Sequence, residues 1–204
     1  MRGEELIRPF RDEAMCLPHW LRSHTERVVI ESSLLAKKYG LNNDKLSLER
    51  IEAASWGHDL YRAYEPKKLL DLAGDLGIPI SETAQAAPIL LHGPIAAARA
   101  RRDWGIKDEI VLESISWHTT GHPAMSVIAK TVFLADKIEP EKVSEDPGLI
   151  PIHILAIENR EAALLAFLEK RLSLLLLTGQ PIDPKSIQIR NKLRMDLDGK
   201  KLEH

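Results

Sequence analysis

The stretch SLERIEAASWGHDL, residues 47–60, reads as one helix with Ile51, Ala53 and Ala54 as its buried side, and it ends on an adjacent histidine and aspartate. His58 and Asp59 at the end of an apolar helix offer one cavity a nitrogen and an oxygen ligand together. Ser55 and Gly57 keep the side chains beside that pair small, apart from Trp56. A histidine–aspartate pair alone often does no more than solvate a helix end, so the argument rests on its companions. His24 lies upstream on one predicted helix, and His92 and His118 lie downstream on others. Asp136 sits inside VFLADKIE, residues 132–139, where a carboxylate flanked by Leu134, Ala135 and Ile138 is costly to bury unless it is paired or metal-bound.

Outward from that helix the helical period recurs along the chain. Residues 4–16 carry Leu6, Ile7, Phe10 and Met15 at loosely helical spacing, a short amphipathic helix without assigned chemistry. Pro18 opens a helix to about residue 39, with Val28, Leu35 and Ala36 on its apolar face and Gly40 as its stop. Further helices are predicted over 67–73, 81–91, 95–103, 108–118 and 126–138, with a loop over 147–151. Residues 152–177 read as one long helix, and 184–195 as a last one. Gly93 and Pro94 interrupt the pattern directly after His92, which places that side chain at a helix junction. No alternating strand pattern, hairpin signal or internal repeat stands out, so the expected fold class is all-α.

The bulk numbers agree with an ordinary globule. A length of 204 residues suits one core, and 44% apolar and 28% charged residues with a net charge of −2 give no global basicity for nucleic acid. Cys16 is the single cysteine and no signal-like segment opens the chain, so a cytoplasmic setting is expected. The longest apolar run, residues 172–178, is far shorter than the roughly 20 residues a bilayer requires, so no membrane is expected. Leu202, Glu203 and His204 look like the start of a vector-encoded tag, and His204 is set aside. The expected division is an N-terminal extension over 1–17, the domain over 18–195 and a polar tail over 196–204.

Each proposed ligand belongs to a different helix or helix end, so separate segments can converge on one cavity. The set His24, His58, Asp59, His92, His118 and Asp136 offers nitrogen and oxygen without thiolate, which suits iron, manganese, nickel or zinc. Asp59 is the natural bridge, because it neighbours His58 and leaves His92 and His118 to hold a second ion. Two ions about 3.5–4 Å apart stabilise both oxygens of a phosphoryl transfer and activate water at neutral pH, so the implied chemistry is hydrolysis of a phosphate ester or anhydride. Arg27, three residues after His24, and Arg62, three after Asp59, are candidate phosphate contacts, with Lys130 and Lys137 behind them. The hydroxyl-rich turn Thr119–Thr120–Gly121 suits oxyanion contacts. His19, His122 and His153 read as surface or capping residues, and Trp56, Trp104 and Trp117 as core.

The order His24, His58–Asp59, Asp136 resembles the HD-domain superfamily of metal-dependent phosphohydrolases, and His92 with His118 matches its dinuclear subgroup. LHGP over 91–94, WHTTG over 117–121 and FLADKIEP over 133–140 are similar to signatures of the YqeK family, as is Arg190–Asn191. The likeness spans about residues 18–193. It implies a single HD-domain helical bundle with a central dinuclear metal site holding iron, and symmetrical cleavage of diadenosine tetraphosphate into two ADP. Asp59, Arg27 and Arg62 would then serve catalysis, and Arg27, Arg62 and the Thr119–Thr120–Gly121 turn would meet the charge of the departing ADP. Arg62 stands where many relatives carry lysine, Lys142 stands where arginine is common, and the residues before Pro18 lie outside the pattern. Two alternatives remain open: an HD-type phosphohydrolase of a mononucleotide, deoxynucleoside triphosphate or guanosine alarmone, and a nucleotide-binding sensor module without turnover. A nucleotide is the expected partner, and a homodimer is left open.

Overall fold

The computed structural model describes residues 3–202, and the suspected tag residues Glu203 and His204 lie outside the described residues. The chain folds into α1 (Gly3–Met15), α2 (His19–Lys38), α3 (Lys45–Gly57), α4 (Pro66–Asp75), α5 (Glu82–Ala86) and α6 (His92–Asp103). It continues through α7 (Glu109–Trp117), α8 (Val127–Ile138), α9 (Pro140–Glu145), α10 (Ile150–Glu158), α11 (Arg160–Leu177) and α12 (Pro184–Leu202). Short 3₁₀ turns sit at Leu41–Asn43, Pro88–Leu91 and Pro147–Leu149, and no strand occurs among the described residues, as expected for an all-α chain. No described helix is long and apolar enough to cross a membrane.

Side chains that accept from free amide hydrogens start several of these helices. Asp44 accepts from the Leu46 and Ser47 amides to open α3, Asp108 from Val111 to open α7, and Ser126 from Ala129 to open α8. Apolar packing then orders them. One core unites α1, α3, α6 and α7, with Phe10, Ile51 and Ile115 all but sealed from solvent. A second unites α2, α8, α10, α11 and α12 around Phe133, Leu134 and Leu164. A smaller third joins α4, α5 and α6. α8 is buried almost all round, from Ile128 to Ile138, and lies against α2, α3, α7 and α11, so a polar side chain on it faces other protein wherever it points.

Several features differ from the sequence expectation, among them a last helix that runs through Leu202 instead of ending at residue 195. The single helix expected over 152–177 is broken at Asn159, whose backbone is extended at φ −148° and whose side chain accepts from the Ala162 amide to start α11. The helix expected over 81–91 stops at Ala86, because Pro88 disfavours helical geometry at the residue before it and Ala87 leaves the helix at φ −134°, ψ 75°. The helix expected from residue 95 begins already at His92, with Pro94 in its first turn, where a missing N–H costs nothing. Residues 3–15, read from sequence as an extension, form α1 and lie along α3, with Phe10 edge-on to Trp104 at 5.2 Å between ring centroids.

Candidate metal centre

Helix ends deliver three of the four histidines. His58 follows the last residue of α3, His118 follows the last residue of α7, and His92 follows the 3₁₀ turn Pro88–Leu91. A helix leaves its last carbonyl oxygens without intrahelical donors. The imidazoles fill that need: His58 Nδ1 donates to Ser55 O at 2.7 Å, His118 Nδ1 to Ile115 O at 2.7 Å, and His92 Nδ1 to Ile89 O. A carbonyl only accepts, so in each case Nδ1 carries the hydrogen and Nε2 presents a lone pair to the interior. His24 lies inside α2 instead, and its Nδ1 is held by Glu139 Oε1 at 3.2 Å.

These lone pairs converge. His24, His58 and Asp136 form one group and Asp59, His92 and His118 another, each with its donor atoms within 4.8 Å of one another. Asp59 joins them: Oδ1 lies 3.0 Å from His92 Nε2 and 3.3 Å from His118 Nε2, while Oδ2 lies 3.5 Å from His58 Nε2 and 3.6 Å from His24 Nε2. Two observations fit the set to cations. His92 Nε2 and His118 Nε2 face each other at 2.9 Å with both Nδ1 hydrogens committed elsewhere, so two lone pairs oppose each other unless positive charge lies between them. His58 Nε2 is fully buried with no hydrogen-bond partner. Each group supplies three nitrogen or carboxylate donors, which leaves room for water or substrate at each ion.

The surrounding charges come from α2 and α8 packed side by side. His24 and Arg27 are one turn apart on α2, and Asp136 and Glu139 are one turn apart at the end of α8. His24 Nε2 meets Asp136 Oδ1 at 3.1 Å, and Arg27 Nε donates to Glu139 Oε2 at 2.7 Å. Burial opposes the charge on Glu139, but its hydrogen bonds to His24 and Arg27 prevail and hold its pKa down to about 2. Burial likewise opposes ionisation of Asp136, yet Lys137 and Lys142, whose Nζ atoms lie 2.5 and 2.7 Å from its carboxylate, keep it well below the usual carboxylate range. Glu139→Gln keeps the shape but loses the charge that orients His24. The variant is expected to bind metal at least about tenfold more weakly in a competitive chelator titration.

His118 makes the fold sensitive to acid. Burial away from water pushes its pKa down from 6.5 to about 3. The unfolded chain therefore takes up a proton below about pH 6.5 that the folded chain refuses until about pH 3, so stability declines as pH falls through that window. Thermal unfolding of the chelator-treated protein is expected to show Tm falling from pH 7 to pH 4. Burial lowers the pKa of His24, but its hydrogen bonds to Asp136 and Glu139 outweigh that and raise it, so His24 works in the opposite sense. The decline is therefore read as the difference between wild type and His118→Asn, and parallel profiles in the two would contradict the neutral, buried imidazole.

The remaining sequence candidates divide by place. Arg62 Nε lies 3.6 Å from Asp59 Oδ2, and its side chain lines a cavity of about 620 Å³ together with Thr119 and Lys137. Thr119 Oγ1 stands 3.0 Å from His118 Nε2, and Thr120 lines an adjoining cavity of about 270 Å³. The Gly121 amide is spent on Trp117 O at 2.8 Å, so this turn offers its hydroxyls rather than that N–H to an anion. Arg27 lies outside both cavities, bound to Glu139 and Glu141, and Lys130 lies outside them against Glu161 at 3.5 Å. Sequence reasoning assigned no role to Glu139, Lys142, Lys170 or Arg171. Glu139 could have been found from its one-turn spacing to Asp136, which mirrors that of His24 and Arg27.

Comparison with known proteins bears on this geometry. Residues 21–141 match the HD domain family. The symmetrical bis(5'-nucleosyl)-tetraphosphatase of Halalkalibacterium halodurans is 32% identical over 173 residues, 85% of this chain and 88% of that protein. The protein of the same name from Bacillus subtilis is 29% identical over 189 residues, 90% of this chain and 97% of that one. The crystal structure of a predicted HD superfamily hydrolase involved in NAD metabolism from Clostridium acetobutylicum superposes with a TM-score of 0.84 at 27% identity, covering 93% of this chain and 97% of that one.

Proposed function

The chain belongs to the HD domain family, and on that premise we propose that it is a metal-dependent hydrolase that cleaves diadenosine tetraphosphate symmetrically, adding one water and releasing two ADP. The observation that carries this reading is Asp59, buried within one three-donor group and facing the other, beside a cation-rich cavity whose lining residues Arg62 and Thr119 touch Asp59 and His118. Metal ions bound there supply Lewis acidity at the phosphates and an activated water at neutral pH. The chain's own residues do the rest. The Nδ1 bonds to Ser55, Ile89 and Ile115 keep three imidazoles in one tautomer and orientation. Arg62 and the Thr119 hydroxyl face the polyphosphate and offset the charge that gathers on the departing ADP. Arg27 acts behind them through Glu139, which holds His24 in place.

For the metal we propose iron, with manganese, nickel and zinc as the alternatives. Support comes from the imidazole and carboxylate donors, which include no thiolate. The test is product analysis on protein prepared without oxygen and with iron, incubated with diadenosine tetraphosphate and resolved by ion exchange. ADP as sole product is expected. AMP with ATP would mean a different cut, and intact substrate would overturn the reading. Parallel loading with manganese, nickel or zinc ranks the metals by rate.

A further inference from the structure

Two cavities meet at the edge of the metal centre and share four residues: Thr119, Phe167, Arg171 and Leu174. Three of the four lie on α11, so one helix face divides the cavities. Their chemistry differs. The larger, about 620 Å³, carries the cations Arg62, Lys137, Lys142, Lys170 and Arg171 against the carboxylates Glu145 and Asp146. The smaller, about 270 Å³, is walled mainly by apolar side chains, among them Phe133, Phe167, Leu168 and Leu172, with Thr120, Thr178, Gln180, Asp183 and Ser186 adding polar groups. Most of the cations already have partners. Lys137 and Lys142 hold Asp136, Lys170 meets Asp146 at 3.1 Å, and Arg62 leans on Asp59. Arg171 has no hydrogen bond or ion pair among the described residues, although it lines both cavities.

This inference rests on the tetraphosphatase reading and adds to it. Each ADP half of the substrate places a flat base with apolar faces and a polar edge two phosphates away from the bond that breaks. We propose that the smaller cavity seats one nucleobase, and that Arg171 at the crossing binds the phosphate joining that nucleoside to the rest of the chain. A guanidinium suits that position, because its planar fork can bridge two phosphate oxygens. The Phe167 ring, partly buried and edge-on to Phe133 at 5.8 Å, gives the base an aromatic wall that α11 holds in place. The arrangement selects for a nucleoside on the polyphosphate: a bare polyphosphate would meet the cations and leave the apolar cavity unfilled. Arg171 is thus a substrate-binding residue, with no part in holding the metals.

The test is calorimetric titration of metal-loaded protein with ADP and, separately, with pyrophosphate, for wild type, Arg171→Gln and Leu174→Trp. Both positions are solvent-exposed on α11, so the fold tolerates the changes, and an unchanged Tm and metal content check this. Wild type is expected to bind ADP at least about tenfold more tightly than pyrophosphate. Arg171→Gln should weaken both ligands by about tenfold, the loss of one charge-assisted contact. Leu174→Trp, which fills the passage between the cavities, should weaken ADP alone and bring it level with pyrophosphate. The proposal is overturned if Arg171→Gln leaves both affinities within twofold, or if Leu174→Trp leaves ADP unaffected or weakens pyrophosphate equally. Wild-type protein that shows the expected ADP preference yet leaves diadenosine tetraphosphate intact would sink the tetraphosphatase reading and leave this site standing.

Discussion

Asp59→Ala is expected to lower cleavage of diadenosine tetraphosphate by at least about a thousandfold and to halve the metal content of the purified protein, or worse. The reason lies in how its two oxygens are divided. Oδ1 faces His92 and His118, and Oδ2 faces His24 and His58, so one carboxylate completes one donor group and reaches into the other. Removing it leaves His92 and His118 as two neutral donors for one ion, and leaves His24, His58 and Asp136 without the shared anion that draws two cations close together. Burial argues against ionisation of Asp59, and the Nε2 atoms of His58, His92 and His118 present lone pairs to it, so positive charge at the two donor groups, with Arg62 at 3.6 Å, is what would keep the proposed bridging carboxylate ionised. The fold is expected to persist, because the cores on either side are apolar and do not depend on this side chain. Elemental analysis beside ADP release checks both parts. An unchanged metal content in Asp59→Ala would end the dinuclear reading.

Much of this centre was legible before any coordinates. Helical period and punctuation located the segments, and the cost of burying Asp136 among Leu134, Ala135 and Ile138 marked it as paired or metal-bound. What the one-dimensional pattern lacks is the pairing of faces. Glu139 takes its role from α2 lying against α8, which brings it to His24 and Arg27 across more than a hundred residues of chain. Arg27 reads from sequence as a phosphate contact for the same reason: its one-turn spacing to His24 shows a shared face, and only the fold reveals that Glu139 and Glu141 occupy that face first. Arg171 reads as one of many charges on α11, and its freedom from partners is visible only when every neighbour is placed. The break at Asn159 was hidden because the apolar residues on either side continue a helical pattern, while one capping side chain decides the boundary. α1 shows the same gap, since spacing identifies the helix but cannot show that Phe10 enters the core against Trp104.

Gly93→Ala is expected to be the most damaging change at a residue that binds nothing. Gly93 follows His92 in the first turn of α6, where that helix crosses the end of α7. A methyl group built there would lie 2.7 Å from Ile115 O, 3.1 Å from His118 Nδ1 and 3.2 Å from His118 Cε1. Ile115 O is the acceptor that orients His118, so the clash falls on the bond that aims the ligand, and a backbone carbonyl yields less readily than the tip of a side chain. Relief requires α6 to move away from α7, which separates His92 from His118, the two imidazoles that would share one ion in the proposed centre. The variant should lose about 1–3 kcal/mol of stability from overpacking. Its kcat should fall by at least about a hundredfold, because a displacement of about 1 Å at a reacting centre is enough for that. Gly57→Ala is the informative contrast. The nearest atoms to its methyl would be the ring carbons of Phe10 and the Ile115 Cδ1, side-chain atoms rather than the backbone that aims His118, so it should cost stability while the protein still loads its metals. If metal content and turnover fall in Gly93→Ala and persist in Gly57→Ala at equal loss of Tm, close approach at the His118 carbonyl is what the site needs. Full activity in Gly93→Ala would show that the two helices can part without cost to the centre.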